Sequence, residues 1–351
     1  MKCQTLKSTL ETIGKPVHTV EMPGGVRVLL LPHGGRVLGL FGADDDENYY
    51  WTNPALAAPK SADAYYSSGD WPNSGGDRTW LAPELDLFFP KYPDLDMSGY
   101  LQPRQLDPGS YTIEYRDGSV RMVNRLSVVL HRMKSGADLE MQKWVTPAAN
   151  PLRYERGSRL LRDVAYAGYT QHTALAMLAG DAARAGLWNL IQMPHGGEMT
   201  IPVYARSQPR IYFGTIAEND LLVTDRAIHW RMAAQGEQKI GVRAVATTGR
   251  VGYRYRAGGS STLIVRNFVV DPSGEYVDVP WNEPDDPGYC VQACNINNSR
   301  WGEFSELEYH VPAIGVGTGR TSCEDVSQVW GFRGPAGVID EVMSTLLCGP
   351  R

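Results

Sequence analysis

The chain has 351 residues, enough for one large β domain or two ordinary ones, and its formal net charge is −5. Acidic and basic residues are interspersed along it, which excludes the basic stripe of a nucleic-acid groove. No run of about 18 apolar residues occurs, which excludes a membrane-spanning helix.

Six segments alternate apolar with polar residues, the period-two pattern typical of β-strands. In chain order they are VRVLLL (26–31), YTIEY (111–115), SVRMVNRLSVVLHRM (119–133), IGVRAVA (240–246), VGYRYRA (251–257) and STLIVRNFVV (261–270). Glycine-rich turn signals separate several of them: RDGS (116–119), AGGSS (257–261) and DPSGE (271–275). Strand-turn-strand units that recur this often predict an all-β fold, with antiparallel sheets packed as a sandwich.

Helical signals are few. The composition of 173–186 and the roughly helical spacing of apolar residues in 336–347 favour helices. The section 44–108, rich in Pro, Gly, Asp and Tyr, is too long for a simple connection and is typical of a functional or ligand-covering loop. No linker or repeat interrupts the chain, so we expect a single domain over 1–351.

The stretch SGGDRTWLAPEL (74–85) combines the materials of a small polar-ligand pocket. Its glycines allow close backbone approach, Arg78 offers a rigid fork of donors, and Trp80 offers a flat apolar face. The same residues also suit an ordinary tight loop, so this stretch by itself leaves both interpretations open.

The first residues lack an apolar stretch of the length that a secretion signal needs, so we expect a soluble, cytoplasmic protein. The cysteines are odd in number and lack the CxxC spacing of a zinc site, which predicts free thiols, no structural metal and no cofactor. They are Cys3, Cys290, Cys294, Cys323 and Cys348.

Six segments, taken in chain order, resemble a known family of proteins. They are GGVRVLLLPHGGRVLGLF (24–41), NYYWTNP (48–54), GGDRTWLAPE (75–84), GLWNLIQMPHGGEMTIPV (186–203), KIGVRAVATTGRVGYRY (239–255) and the strand-rich 304–332. This succession resembles the galactose mutarotase-like proteins, the aldose 1-epimerase superfamily, and suggests an uncharacterised branch of it. The resemblance implies a β-supersandwich with an open cleft on one sheet that binds a small-molecule carbohydrate.

The resemblance also implies an acid and a base on opposite sides of a sugar. Interconversion of anomers needs a base for the proton of the anomeric hydroxyl and an acid for the ring oxygen. For the base, SELEYH (305–310) supplies Glu308 as first choice and Glu306 as second, two residues apart and so on one face of a strand. A solvated strand face is the alternative interpretation of this pair.

The acid is predicted less directly. His172 in YTQHTALAML (169–178) is the best positional match, although Gln171 stands where the family has an asparagine. His195 and His310 are its rivals, and each is also compatible with a purely structural role.

Four residues complete the predicted site. Arg78 is expected to hold sugar hydroxyls, Asp77 to accept from them or orient Arg78, and Trp80 to stack on the sugar. Glu84 is a further acid if the chain is instead a glycoside hydrolase or lyase on the same fold. A sugar-binding protein without catalysis is the third possibility.

Overall fold

The computed structural model describes residues 1–154, 156–180 and 182–348. Within these ranges the chain forms twenty β-strands in two ten-stranded antiparallel sheets. In chain order the strands are β1 (His18–Glu21), β2 (Arg27–Leu31), β3 (Arg36–Phe41), β4 (Asp77–Ala82), β5 (Thr112–Arg116), β6 (Ser119–Leu130), β7 (Ser135–Pro147), β8 (Ala165–Ala179), β9 (Arg184–Pro194), β10 (Glu198–Pro202), β11 (Arg210–Phe213), β12 (Leu221–Val223), β13 (Ala227–Arg231), β14 (Gly236–Val242), β15 (Arg250–Ala257), β16 (Ser260–Phe268), β17 (Val291–Asn298), β18 (Gly302–His310), β19 (Ile314–Gly315) and β20 (Ser322–Gly334).

The first sheet has the order β1-β2-β3-β4-β9-β18-β17-β14-β11, with β19 paired to β9, and the second has the order β12-β13-β10-β15-β16-β20-β8-β7-β6-β5. Neighbours in both sheets are often far apart in sequence, as with β4 and β9. The all-β sandwich that the strand pattern predicted is therefore confirmed, and long-range pairing builds most of it.

The helical elements are short. The α-helices are α1 (Cys3–Thr12), α2 (Pro59–Tyr66), α3 (Glu84–Leu87) and α4 (Ala336–Met343). The tighter or wider turns are Pro23–Gly25, Pro54–Ala57, Met97–Gly99, Gln105–Gly109, Pro151–Arg153, Arg156–Arg162, Glu218–Asp220 and Ser344–Cys348. No helix in the described ranges is long and apolar enough to span a membrane.

The two helix predictions had opposite outcomes. The segment 336–347 does begin with a helix, α4, whose Ile339 and Val342 pack in a cluster with Val265 of β16 and Phe332 of β20. The segment 173–186 was predicted wrongly, because it lies in β8 and β9. Pairing of β8 with both β7 and β20 overrides the helix-favouring composition.

The section 44–108 is not wholly irregular. It contains α2, β4 and α3, and β4 is the central part of the stretch first singled out. A positive φ of 77° at Gly76 lets the backbone enter β4 with the would-be Cβ position 2.4 Å from the carbonyl oxygen of Val37. Only glycine fits there.

Among the described side chains, Cys3, Cys290, Cys294 and Cys323 are free thiols, as predicted. The side chain of Cys348 lies outside the described part of the chain.

Candidate functional site

The candidate site lies on the face of the first sheet that points away from the second sheet. Alternation along β18 places Glu306 and Glu308 on this face. The register of the sheet aligns Glu306 with Cys294 of β17 on one side and Gln192 of β9 on the other. Cys294 in turn lies opposite Lys239 of β14, so polar side chains from four strands meet in one row.

A pocket opens above this row, and we call it the central pocket. It has a volume of about 70 Å³ and is partly open to solvent, so its own space is below the roughly 300–1,000 Å³ of small-ligand sites. Its charged lining consists of Arg78, Glu84, Glu237, Lys239 and Glu306. Eight aromatic rings complete the wall: Trp71, Trp80, Tyr100, Trp188, Phe213, Trp281, Trp301 and Phe304.

Glu306 is anchored at one oxygen. Arg78 Nη2 donates to Glu306 Oε1 at 3.0 Å, and Gln192 Nε2 donates to the same oxygen at 2.9 Å. The guanidinium of Arg78 also lies over the ring of Trp80, 3.9 Å from its centroid. This arrangement holds the carboxylate against the pocket while its second oxygen makes no hydrogen bond within the described residues.

Glu308 lies two residues after Glu306 on the same face of β18 and is fully buried. Trp188 Nε1 donates to Glu308 Oε2 at 2.8 Å, and Lys239 Nζ lies 3.3 Å from the same oxygen. Burial raises the pKa of Glu308 to about 8 against the opposing charge of Lys239. The carboxylates of Glu306 and Glu84 contribute to the rise, so Glu308 holds a proton at neutral pH.

Glu84, at the start of α3, faces the pocket from a different segment. Tyr100 donates its hydroxyl to Glu84 Oε1 at 2.6 Å, and Trp281 Nε1 donates to Oε2 at 3.2 Å. Lys239 Nζ lies 3.7 Å from Glu84 Oε2. Burial raises the pKa of Glu84, and Lys239 offsets part of the rise.

Lys239 is the cation that Glu84 and Glu308 share. Burial opposes its charge, but the two carboxylates outweigh burial and raise the pKa of Lys239 above its usual value. Glu84 and Glu308 carry two negative charges against the single positive charge of Lys239. Binding of one proton makes this buried cluster neutral, which burial favours, so the cluster holds one extra proton next to the pocket.

Cys294, Glu306 and Glu308 offer ligand atoms that lie within 4.8 Å of one another. Arg78 and Lys239 already supply positive charge to these carboxylates. Burial and the neighbouring carboxylates also raise the pKa of the Cys294 thiol well above its usual value, which disfavours the thiolate that a metal would need. The donor set therefore suits proton chemistry better than metal binding.

The structure brings together five of the predicted residues: Arg78, Trp80, Glu84, Glu306 and Glu308. Arg78 lies in β4 with its side chain only 3% exposed, rather than in a loop. Trp80 forms part of the pocket wall and donates from Nε1 to Asp107 Oδ2 at 3.0 Å. Glu306, not Glu308, is the carboxylate of β18 that lines the pocket.

Asp77 requires a correction. It neighbours Arg78 in a strand, so its side chain points to the other face, between the sheets. There it accepts from Lys143 Nζ at 2.8 Å and from the Tyr169 hydroxyl at 2.8 Å, and pairs with Arg266. Burial opposes its charge, but the two cations outweigh it and lower the pKa of Asp77. Asp77 ties the two sheets together and neither contacts the pocket nor orients Arg78.

His172 also requires a correction, because the structure does not bring it near Glu308. It lies in β8 of the second sheet, where Gln171 and Thr173 are the buried residues and His172 points to the outer face. Its ring stacks on Trp144 with centroids 4.9 Å apart and hydrogen-bonds Thr146 at 3.0 Å. These contacts belong to a surface of the second sheet.

The other two histidines are nearer to the site but do not line the central pocket. His195 follows β9, with Nδ1 3.5 Å from Glu303 Oε1. His310 is buried below Glu308 and stacks on Trp188. Burial, then the charge of Lys239, holds the pKa of His310 well below 6.5, so the ring is neutral.

Sequence reasoning missed Lys239 as a site residue, together with Tyr100, Trp188 and Trp281. Lys239 stands in β14, whose last five residues are buried, and a buried charge needs a partner. The burial of this strand becomes visible only in the structure, because its sequence GEQKIGV is largely polar or glycine.

Comparisons with known proteins fit this architecture. The model of a family of unknown function, DUF6786, matches residues 7–348, so the chain belongs to that family. No curated protein matches the chain.

The chain is similar to solved structures, and the first of them supports the fold. An aldose 1-epimerase candidate from Escherichia coli matches 91% of this chain and 99% of its own, at 10% identity and a TM-score of 0.52. A galactose 1-epimerase from Lactobacillus acidophilus matches 90% of this chain and 94% of its own, at 8% identity and a TM-score of 0.38. The galactose mutarotase-like fold that the sequence predicted is therefore confirmed, and the chemistry has to be argued from the site.

Proposed function

We propose that this member of the family binds a carbohydrate in the central pocket and interconverts the anomers of a reducing sugar by acid–base ring opening. One observation carries the proposal: two carboxyl groups, Glu306 and Glu84, face the pocket from different segments and have unlike partners. Carboxyl groups in unlike environments are the arrangement that divides acid from base.

Glu306 is the proposed base. Its Oε1 is held by Arg78 and Gln192, which leaves Oε2 to accept the proton of the anomeric hydroxyl. Because β18 and the two donors fix the carboxylate, Oε2 can keep the hydrogen-bond distance to a bound sugar hydroxyl that proton transfer requires. Arg78 becomes a positioning residue for the base in addition to lining the pocket.

Glu84 is the proposed acid. The one extra proton of the Glu84–Lys239–Glu308 cluster is the proton that Glu84 gives to the ring oxygen in this proposal. Lys239 contacts both carboxyl groups and adjusts the charge as the proton leaves. In this proposal Glu308, the first candidate for the base, acts from below the pocket through Lys239 instead of touching the sugar.

The aromatic wall supports a carbohydrate as the ligand. Sugar rings present flat C–H faces that pack on aromatic side chains, while their hydroxyls need polar partners at the edges. The partly buried Trp71, Trp281 and Trp301 provide such faces beside the charged side chains of the pocket. A pocket of this composition supports a polar ligand with apolar faces.

Glycoside hydrolysis is the second candidate, and the same pair of carboxyls is the observation that favours it. Hydrolases place two carboxyl groups on either side of the scissile bond. Glu306 and Glu308 do not meet that requirement, since they project side by side from one strand. Glu84 and Glu306 are the pair to test for this activity.

Exchange NMR between the anomers of free sugars tests the proposal. Glu306→Gln and Glu84→Gln are each expected to lower the exchange rate by about 10²–10⁴-fold while sugar binding persists. Glu114→Gln is the matched control, since Glu114 is an exposed residue of β5 in the second sheet. An unchanged rate in either pocket variant contradicts its role.

The same samples separate the alternatives. Release of free sugar from aryl glycosides without anomer exchange would assign hydrolysis to the pair. Binding without either reaction would assign a non-catalytic carbohydrate-binding protein.

A further inference from the structure

A wide groove continues from the central pocket, and we call it the outer groove. Trp71, Tyr100, Gln102 and Trp301 line both spaces, so the two are continuous. The outer groove has a volume of about 960 Å³ and is open to solvent, which places it at the upper end of the roughly 300–1,000 Å³ range of small-ligand sites. A single sugar unit in the central pocket leaves this groove unused.

The lining of the outer groove suits sugar rings. Tyr65, Trp71 and Trp301 present aromatic surface along it, and Asn73 and Asn297 add side-chain amides. Asn53 and Asn298 also line it, but both amide atoms of each already hydrogen-bond within the chain. Aromatic faces beside hydrogen-bonding groups match the two kinds of surface that a pyranose presents.

Two donors at the junction with the central pocket are unpaired. Across the described residues, neither the buried Trp71 Nε1 nor the buried Asn73 Nδ2 has a hydrogen-bond partner. Asn73 is only 2% exposed, and its Oδ1 already accepts from Arg78 Nη1 at 3.3 Å. Buried donors without acceptors are costly, and a ligand oxygen would satisfy them once the side chains turn toward the groove.

The charges of the outer groove are mixed. Arg104 and Arg300 lie in the lining with Asp70 and Glu303. Arg104 donates to the Gly69 carbonyl, and the Arg300 guanidinium lies 4.4 Å from the centroid of Trp301. Balanced charges of this kind favour neither an anionic nor a cationic ligand, so the groove fits an uncharged polar chain.

We infer that the substrate is a neutral oligosaccharide, with its reducing-end unit in the central pocket and its remaining units in the outer groove. The orientation rests on the proposed function: ring opening requires a free anomeric carbon, and only the reducing-end unit of the chain has one. The preceding units then extend past Trp71 and Trp301 into the groove.

Calorimetric titration of the full chain tests the inference without relying on catalysis. The probes are glucose, mannose and xylose and the matching trisaccharides cellotriose, maltotriose, mannotriose and xylotriose. At least one trisaccharide is expected to bind ten times more tightly than its monosaccharide. Reduction of that trisaccharide to the alditol should abolish most of this advantage, because the terminal ring that fills the pocket is then lost.

Variants locate the effect in the groove. Tyr65 and Arg300 line the outer groove but not the central pocket. Tyr65→Ala and Arg300→Ala should therefore each weaken trisaccharide binding several-fold and leave monosaccharide binding unchanged. Tyr154→Ala is the matched control, since Tyr154 is 81% exposed and lies outside the groove. Its trisaccharide affinity should equal that of the unmodified chain.

The outcomes separate this inference from the proposed activity. Equal affinity for monosaccharides and trisaccharides, failure of every trisaccharide to bind, or an undiminished trisaccharide affinity in both groove variants would overturn the inference. Tight binding of the alditol would overturn the orientation. Groove-dependent trisaccharide binding without anomer exchange would support the groove and overturn the proposed epimerase activity.

Discussion

The buried carboxyl of Glu308 gives the fold a pH dependence that one substitution can measure. Burial raises its pKa from 4.5 to about 8, so the folded chain keeps a proton that the unfolded chain releases. Stability from this group is fully present below pH 4.5 and is lost as the pH rises through 8. Within that interval each pH unit lowers the free energy of unfolding by about 1.4 kcal/mol.

The interval from pH 6.5 to 8 separates this carboxyl from the titration of His310 and Lys143. The pKa of His310 is held well below 6.5, so its contribution is present above 6.5 and constant there. Burial lowers the pKa of Lys143 to about 8, so this lysine affects stability only from about pH 8 upward. Glu308 alone then lowers the free energy of unfolding by about 2 kcal/mol across the interval. Glu84 acts in the same direction because its pKa is also raised.

Glu308→Gln removes the titrating proton and keeps an oxygen for the hydrogen bond from Trp188. The decrease in the free energy of unfolding from pH 6.5 to 8 is therefore expected to be about 2 kcal/mol smaller in the variant than in the unmodified chain. Guanidinium chloride unfolding at half-unit pH steps measures both slopes. Glu114→Gln, an exposed substitution, should keep the original slope. Equal slopes in Glu308→Gln and the unmodified chain would refute the reasoning.

Three further predictions follow from the same contacts. Arg78→Ala leaves the buried Glu306 carboxylate without its guanidinium, so the free energy of unfolding should fall by about 3–5 kcal/mol at pH 7 in chemical denaturation; a loss below about 1 kcal/mol, the scale of an exposed pair, would contradict the burial argument. His172→Asn should leave sugar anomer exchange within about twofold of the original rate, whereas removal of a general acid typically costs about 10²–10⁴-fold; exchange NMR would expose a larger loss. Gly76→Ala should lower the melting temperature far more than Gly69→Ala, because its Cβ would lie 2.4 Å from the Val37 carbonyl whereas Gly69 has nothing within 4 Å. Gly69→Ala should cost only the roughly 1–2 kcal/mol of a left-handed backbone, and equal melting shifts would argue against the packing account.

Local patterns predicted the sheets well where alternation coincided with burial. The segments 251–257 and 261–270 form β15 and β16, whose pairing across the AGGSS turn is local. The segment 240–246 was only partly right, since β14 ends at Val242. The segment 173–186 failed because its strands are fixed by partners remote in sequence, and a composition measure contains no information on those partners.

The two-residue period of a β-strand also decides which of the predicted site residues reach the pocket. In a strand, a shift of one residue moves a side chain to the opposite face. Arg78 and Asp77 therefore separate completely, one to the pocket and the other to the space between the sheets. Sequence adjacency suggested that Asp77 orients Arg78, which would be reasonable in a loop and is geometrically excluded in β4.

The cation at the centre of the site, Lys239, could not be placed from the sequence because two separate strand registers position it. Lys239 reaches Glu308 only because β14 pairs with β17, β17 pairs with β18, and each pairing has one register. A slip of one residue in β14 would direct Lys239 to the apolar interior, where an unpaired ammonium is strongly unfavourable. The attraction between Lys239 and the buried carboxylates thus favours the observed register of β14, β17 and β18. The same register brings these groups together, so the chemistry of the pocket depends on correct pairing in the first sheet.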